Sequence, residues 1–174
     1  MAYNFHYFKG QNLNRVIKVQ KKVIEILKNI ECGDESVDVC KDWVSAHFLT
    51  ASQMAHLLAL KRRQNWELAV TAGILHDIGL IVNMGMNKDH AFNGYDKAKE
   101  ILNEVGGYSA EEIEFIAKAI SSHSEKDKVG SWLDELIKDV DVLDCTLHGS
   151  DFSDHQHHYQ RVKNLEKELN IKIT

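Results

Sequence analysis

The chain has 174 residues, 44% of them hydrophobic and 27% charged, with a formal net charge of -5. That is the size and balance of one globular domain able to bury its own core, and it excludes an intrinsically disordered chain. The three cysteines, Cys32, Cys40 and Cys145, are odd in number and form no CxxC pair, which argues against a disulfide framework, and the acidic balance argues against a general nucleic-acid binder, which carries a basic footprint.

The predicted elements are all helices. The first runs from about Leu13 to Ile30, with Val16, Val19, Val23, Ile24 and Leu27 near helical spacing, and ends in Cys32-Gly33-Asp34-Glu35-Ser36. The second covers about Val39 to Arg62. The third starts near Trp66 and closes at His76-Asp77-Ile78, with Gly79 where a C-terminal cap would sit. A loop is expected from Leu80 to Asp89. The fourth helix covers about His90 to Val105 and stops at Gly106-Gly107. The fifth opens with Ser109 and Glu112 in capping-box spacing and reaches about His123. The sixth covers about Ser131 to Leu147 and the seventh about His155 to Leu169. No stretch alternates with period two, and the chain has no proline, which suits long helix interiors. The expected fold is an all-α bundle of six to eight helices in one domain. No apolar run approaches the ~20 residues that span a bilayer, and no secretory pattern opens the chain. A soluble, cytoplasmic protein is expected.

Chemistry-bearing residues fall on the inward faces of these helices. His47 continues the stripe Val44, Ala51, Met54, Ala55, Leu58. His123 ends the stripe Ile113, Ile116, Ala117, Ile120, and His90 leads Gly94, Ala98, Ile101, Leu102. Asp141 lies four after Ile137 and shares its apolar face. His76 and Asp77 are adjacent at the end of the very apolar third helix. Neighbours on a helix point about 100° apart, yet both reach one ion that sits beyond the helix end. A single inward histidine is more often a hydrogen-bonded core residue than a ligand. Inward carboxylates are costly to bury unpaired, and one shared cation would offset the desolvation of the whole set. Imidazole nitrogens with carboxylate oxygens suit Zn, Fe, Mn or Ni.

The ordered pattern of His47, then Leu75-His76-Asp77-Ile78-Gly79, then Asp141-Val142-Leu143-Asp144 resembles the HD-domain superfamily of metal-dependent phosphohydrolases. The likeness spans about His47 to Cys145. It implies His47, His76, Asp77 and Asp141 at one divalent metal ion (Fe, Mn, Ni, Co, Zn or Mg). A subset of that superfamily holds two ions through two further histidines. His90, in His90-Ala91-Phe92-Asn93-Gly94, and His123, in Ala119-Ile120-Ser121-Ser122-His123, stand at the corresponding places, with Asp77 implied as the bridge. The resemblance implies hydrolysis of a small phosphate ester or anhydride such as a nucleotide, with His76 and Asp77 at the catalytic centre. A di-iron oxygenase and a non-catalytic nucleotide-binding module are the competing readings. One departure matters: many relatives carry Lys at the position of Leu80, where it helps bind phosphate. Lys88, Arg62, Arg63, Lys126, Lys128 and Arg161 are the candidates to replace it. Neither nucleic acid nor a membrane is expected as partner, and a homodimer is left open.

Other features carry plainer readings. His148, His155, His157 and His158, near Asp151 and Asp154, read as a solvated loop and helix start. His56 lies off the stripe of His47. Lys61-Arg62-Arg63 suits the negative end of a helix dipole. Trp43, Trp66 and Trp132 read as core or rim residues, and Cys145 as an inert thiol near the metal helix. Specificity is expected from loops 81–89 and 125–130 and from the C-terminal helix.

Overall fold

The computed structural model describes residues 14–29, 41–82 and 89–173. Eight helices and no strand are present among them. Helix α1 (Arg15–Lys28) begins at Asn14, whose side chain accepts a hydrogen bond from the Ile17 amide at 2.9 Å. It buries Val16, Val19, Val23 and Leu27 on one stripe. Helix α2 (Lys41–Lys61) lies close against α3 (Trp66–Leu75). Small residues permit that approach: a Cβ on Gly73 would stand 3.0 Å from Ala55 Cβ and 3.2 Å from Ser52 Cα.

Helix α3 is the axis of the molecule. Every residue from Leu68 to Leu75 is buried, as expected of a helix apolar all round, and α1, α2, α6 and α7 pack around it. Helices α5 (His90–Val105), α6 (Ala110–Ser122), α7 (Trp132–Leu147) and α8 (Gln156–Leu169) follow. The predicted capping box is formed by Ser109 and Glu112, and a second one, Ser131 with Asp134, opens α7. Helix α5 ends at Gly106 with φ 71°, a backbone region open to glycine. No described helix is long and apolar enough to cross a membrane.

The chain departs from expectation after α3. Residues expected to open a loop at Leu80 instead form a short helix, α4 (Ile78–Val82). Ile78 and Leu80 are buried, so the apolar content of this segment holds it on the core. Gly79, expected to cap α3, lies inside α4. A Cβ there would fall 1.9 Å from the His90 carbonyl oxygen and 2.7 Å from the Gly94 amide nitrogen. Glycine therefore sets how closely α4 and α5 approach, and with it where His90 stands. Gly79→Ala is expected to cost about 3 kcal/mol through forced backbone displacement, read as a lower urea midpoint at unchanged slope. The predicted break at Cys32–Ser36 and the rest of the predicted loop, 83–88, lie outside the described residues, as do Cys32, Cys40 and Lys88.

Candidate metal centre

The six predicted residues converge at one place. His47 comes from the first half of α2, and His76 and Asp77 form the turn between α3 and α4. His90 is the first residue of α5, His123 caps the end of α6, and Asp141 lies midway along α7. One turn, one helix start, one helix end and two helix interiors thus meet around the C-terminal end of α3. His47, His76, Asp77 and His123 are buried.

The nitrogens face one another. His47 Nε2 lies 2.9 Å from His76 Nε2, and His90 Nε2 lies 3.2 Å from His123 Nε2. Asp77 stands between the two pairs and turns a different oxygen to each. Its Oδ2 is 3.3 Å from His47 Nε2 and 3.4 Å from His76 Nε2. Its Oδ1 is 3.1 Å from His123 Nε2 and 3.3 Å from His90 Nε2. Asp141 Oδ1 completes the first group, 3.7 Å from His47 Nε2 and 3.9 Å from His76 Nε2.

The outer nitrogens fix the tautomers. His76 Nδ1 lies 2.8 Å from the Gly73 carbonyl oxygen and His123 Nδ1 lies 2.7 Å from that of Ile120. A carbonyl only accepts, so each Nδ1 carries a proton and each Nε2 is the nitrogen turned inward, the one able to offer a lone pair to a cation. His47 Nδ1 donates to Asp144 Oδ2 at 2.5 Å. Lone pairs and carboxylate oxygens thus converge with too few protons between them, and the buried Asp77 Oδ1 accepts no well-aligned hydrogen bond among the described residues. Such a donor set fits a divalent cation, and the anchoring of outer nitrogens is how metal-binding imidazoles are oriented.

The electrostatics agree. Burial pulls His76 down to about 4, so it stays neutral near pH 7. Burial also acts to lower His47, but the carboxylates of Asp144, Asp77 and Asp141 outweigh it and raise His47 to about 10. A proton on its Nε2 then occupies the space toward His76. Burial acts to raise Asp77, and the imidazoles of His76, His123, His47 and His90 outweigh it and hold the carboxyl well below the ordinary range. Asp141 is likewise held low, burial being overcome chiefly by Lys126.

Two residues at the centre stand outside the predicted ligand set. Asp144, fully buried, orients His47. Its signal was its place three residues after Asp141, one turn along the same face. Asp144→Ala is expected to weaken metal retention about 10- to 100-fold by freeing that imidazole, measured by competition against a chelator with helicity unchanged. The second is Lys126, one of six basic candidates in the sequence. Its Nζ donates to Asp141 Oδ2 at 2.5 Å and to the His123 carbonyl oxygen at 2.8 Å.

The remaining features separate cleanly. Cys145 Sγ donates to Asp141 Oδ1 at 3.5 Å, and burial together with the charges of Asp141 and Asp77 pushes the thiol up, away from the ligating thiolate form. His56 stacks on Trp66 with ring centroids 4.7 Å apart. Trp132 packs on Phe115. Trp43 stacks on His47, centroids 4.7 Å apart and planes inclined by 13°, while 38% of it stays exposed. The four late histidines do not form one cluster: His148 folds back on Asp144, with Nδ1 2.9 Å from its carbonyl oxygen. His155, His157 and His158 instead line a cavity of about 310 Å³ together with Ser124 and Lys126.

Comparison with known proteins places the fold. The family profile described as HD domain matches residues 44–147. A crystal structure of a predicted HD superfamily hydrolase from an uncultured Thermotogales bacterium superposes with a TM-score of 0.61, covering 91% of each chain at 19% identity. Ribonuclease Y of Malacoplasma penetrans is 29% identical over 124 residues, 71% of this chain and 24% of that protein. An uncharacterized protein of Clostridium beijerinckii is 35% identical over 82 residues, 46% of this chain and 52% of that protein. The chain therefore spans about a quarter and about half of these two relatives. With the matched segment covering His47, His76-Asp77, His90, His123 and Asp141, the chain belongs to the HD-domain family.

Proposed function

We propose that this chain is a metal-dependent phosphohydrolase acting on a small phosphate ester or anhydride, a nucleotide being the favoured substrate. The observation that carries the reading is Asp77, whose two oxygens face two separate groups of imidazole nitrogens. In this reading His47, His76, Asp77 and Asp141 hold one divalent ion, and His90, His123 and Asp77 hold a second. A divalent cation there supplies a Lewis acid for a phosphoryl oxygen and makes a nearby water acidic enough to attack at neutral pH.

The chain's own residues do the rest. Asp77, buried and ionised, orients the attacking water by accepting from it. His76 and His123 turn their Nε2 atoms toward the centre because their Nδ1 protons are committed to the carbonyls of Gly73 and Ile120. Hydrolysis forms one P–O bond from the water and breaks the P–O bond to the leaving group, which departs with one of the water's protons. The acidic net charge of -5 favours a small substrate over a polynucleotide, whose binding rests on many basic contacts.

The test is element analysis with stoichiometry on the purified protein. It is followed by phosphate release from a panel of nucleotides, phosphomonoesters and a short RNA, with Mn, Fe, Co or Ni. Turnover that disappears in His76→Ala supports the proposal. Two tightly held irons with oxygen uptake and no phosphate release would move the chain to the oxygenase reading. Binding of nucleotide with full metal occupancy and no turnover would leave a binding module.

A further inference from the structure

Lys126 occupies a position that neither ion site requires. Its side chain is 4% exposed, unusual for a lysine. Two of its ammonium protons go to Asp141 Oδ2 and the His123 carbonyl oxygen. An ammonium has three. Asp141 and the His123 carbonyl belong to the metal side, while Lys126 also lines the 310 Å³ cavity with Ser124, His155, His157 and His158. That cavity adjoins the ion sites, because Ser124 Oγ lies 3.4 Å from His90 Nε2 and 3.5 Å from His123 Nε2. Its volume sits at the lower end for small-molecule sites, about 300–1,000 Å³.

The other described candidates for a phosphate-binding cation are engaged elsewhere. Arg62 pairs with Asp139 and Glu168 at 2.8 and 2.7 Å. Arg161 pairs with Asp139 and Glu135 at 2.7 and 2.9 Å and donates to the Lys126 carbonyl oxygen. Lys128 pairs with Glu125 at 2.6 Å. Arg63, exposed beyond the end of α2, lies in the left-handed region with φ 55° and ends that helix. Position 80 is filled by a buried leucine.

We infer that Lys126 contacts the phosphoryl group of the substrate, and that the cavity lined by Ser124, His155, His157 and His158 takes the phosphate-bearing remainder of a phosphoanhydride. The inference rests on the phosphohydrolase reading above. The third ammonium proton donates to a phosphoryl oxygen, while the other two keep the lysine against Asp141 and the end of α6. The cavity also carries the carboxylates of Asp127 and Asp154, so a second phosphate enters it through hydrogen-bond donors, the Ser124 hydroxyl and the imidazole N–H groups, beside the Lys126 ammonium. A nucleoside di- or triphosphate should therefore exceed the matching monophosphate in kcat/KM.

The test uses Mn-loaded full-length protein with inorganic phosphate as competitive probe. Lys126→Met removes the charge, and Lys126→Gln removes it while leaving a donor for Asp141 if the methionine variant fails to fold. Losing a charge-assisted hydrogen bond should weaken phosphate inhibition by about tenfold or more, with KM rising in step and manganese stoichiometry unchanged. Lys126 is only a positioning residue for Asp141, and the inference falls, if manganese is lost in proportion to activity. It falls equally if phosphate inhibition is unchanged, or if monophosphates turn over as well as diphosphates. A wild-type protein without phosphate release overturns the phosphohydrolase reading itself, whereas an active wild type with an unaffected Lys126→Gln variant overturns the lysine assignment alone.

Discussion

Asp77→Asn is expected to remove both metal retention and turnover, the rate falling on the order of 10³-fold or more as water activation is lost. The substitution is nearly isosteric, so the fold should survive it. It removes the negative charge, and it replaces one of two acceptor oxygens with an NH₂ group that points donors at imidazole lone pairs. Because Oδ1 and Oδ2 face different nitrogen pairs, either amide rotamer spoils one group. Element analysis should show both ions depleted, beside circular dichroism matching the parent. A variant that keeps its metal and a rate within tenfold of the parent would remove Asp77 from the centre.

Metal loading should depend steeply on pH. His47 without metal is raised to about 10, and its Nε2 proton faces His76. That nitrogen must release the proton to ligate, so apparent affinity should climb about tenfold per pH unit, roughly 100-fold from pH 6 to pH 8, and flatten near 10. His76, lowered to about 4, adds no further step in this range. Competition against a chelator of known pH dependence, or proton release in weak buffer, gives the slope; a slope of zero would mean that His47 is neutral or not a ligand. In the metal-free protein the two shifts act on folding with opposite sign. The contribution of His47 is complete below its ordinary 6.5 and is lost as pH rises through about 10. That of His76 is present above 6.5 and is lost as pH falls toward about 4.

The sequence made the long helices legible because their apolar spacing and caps agreed. Val16, Val19, Val23 and Leu27 mark one face of α1, and Ser109 with Glu112 marks the start of α6. Helix α4 escaped because five residues are too few to show a period, and because a glycine after a helix reads as a stop. Only the third dimension shows that Gly79 is there for the His90 backbone. The site was legible where chemistry broke an apolar stripe, as at His47, His123 and Asp141. Asp144 and Lys126 were harder. Asp144 stood in the pattern one turn after Asp141, but it acts through His47, and that partnership shows only in the fold. Lys126 lies in the polar run Ser124 to Lys128, where every neighbour suggests a solvated loop, and its burial follows only from how α6, α7 and α8 close around it.

Trp43 lies in the first turn of α2 with its indole flat against the His47 ring. The emission of an indole stacked on an imidazole changes when that ring gains or loses a proton or binds an ion. The chain thus carries its own optical gauge. Emission from Trp43, isolated by replacing Trp66 and Trp132 with phenylalanine, should report the exchange of a proton for an ion at His47 in real time and without added dye.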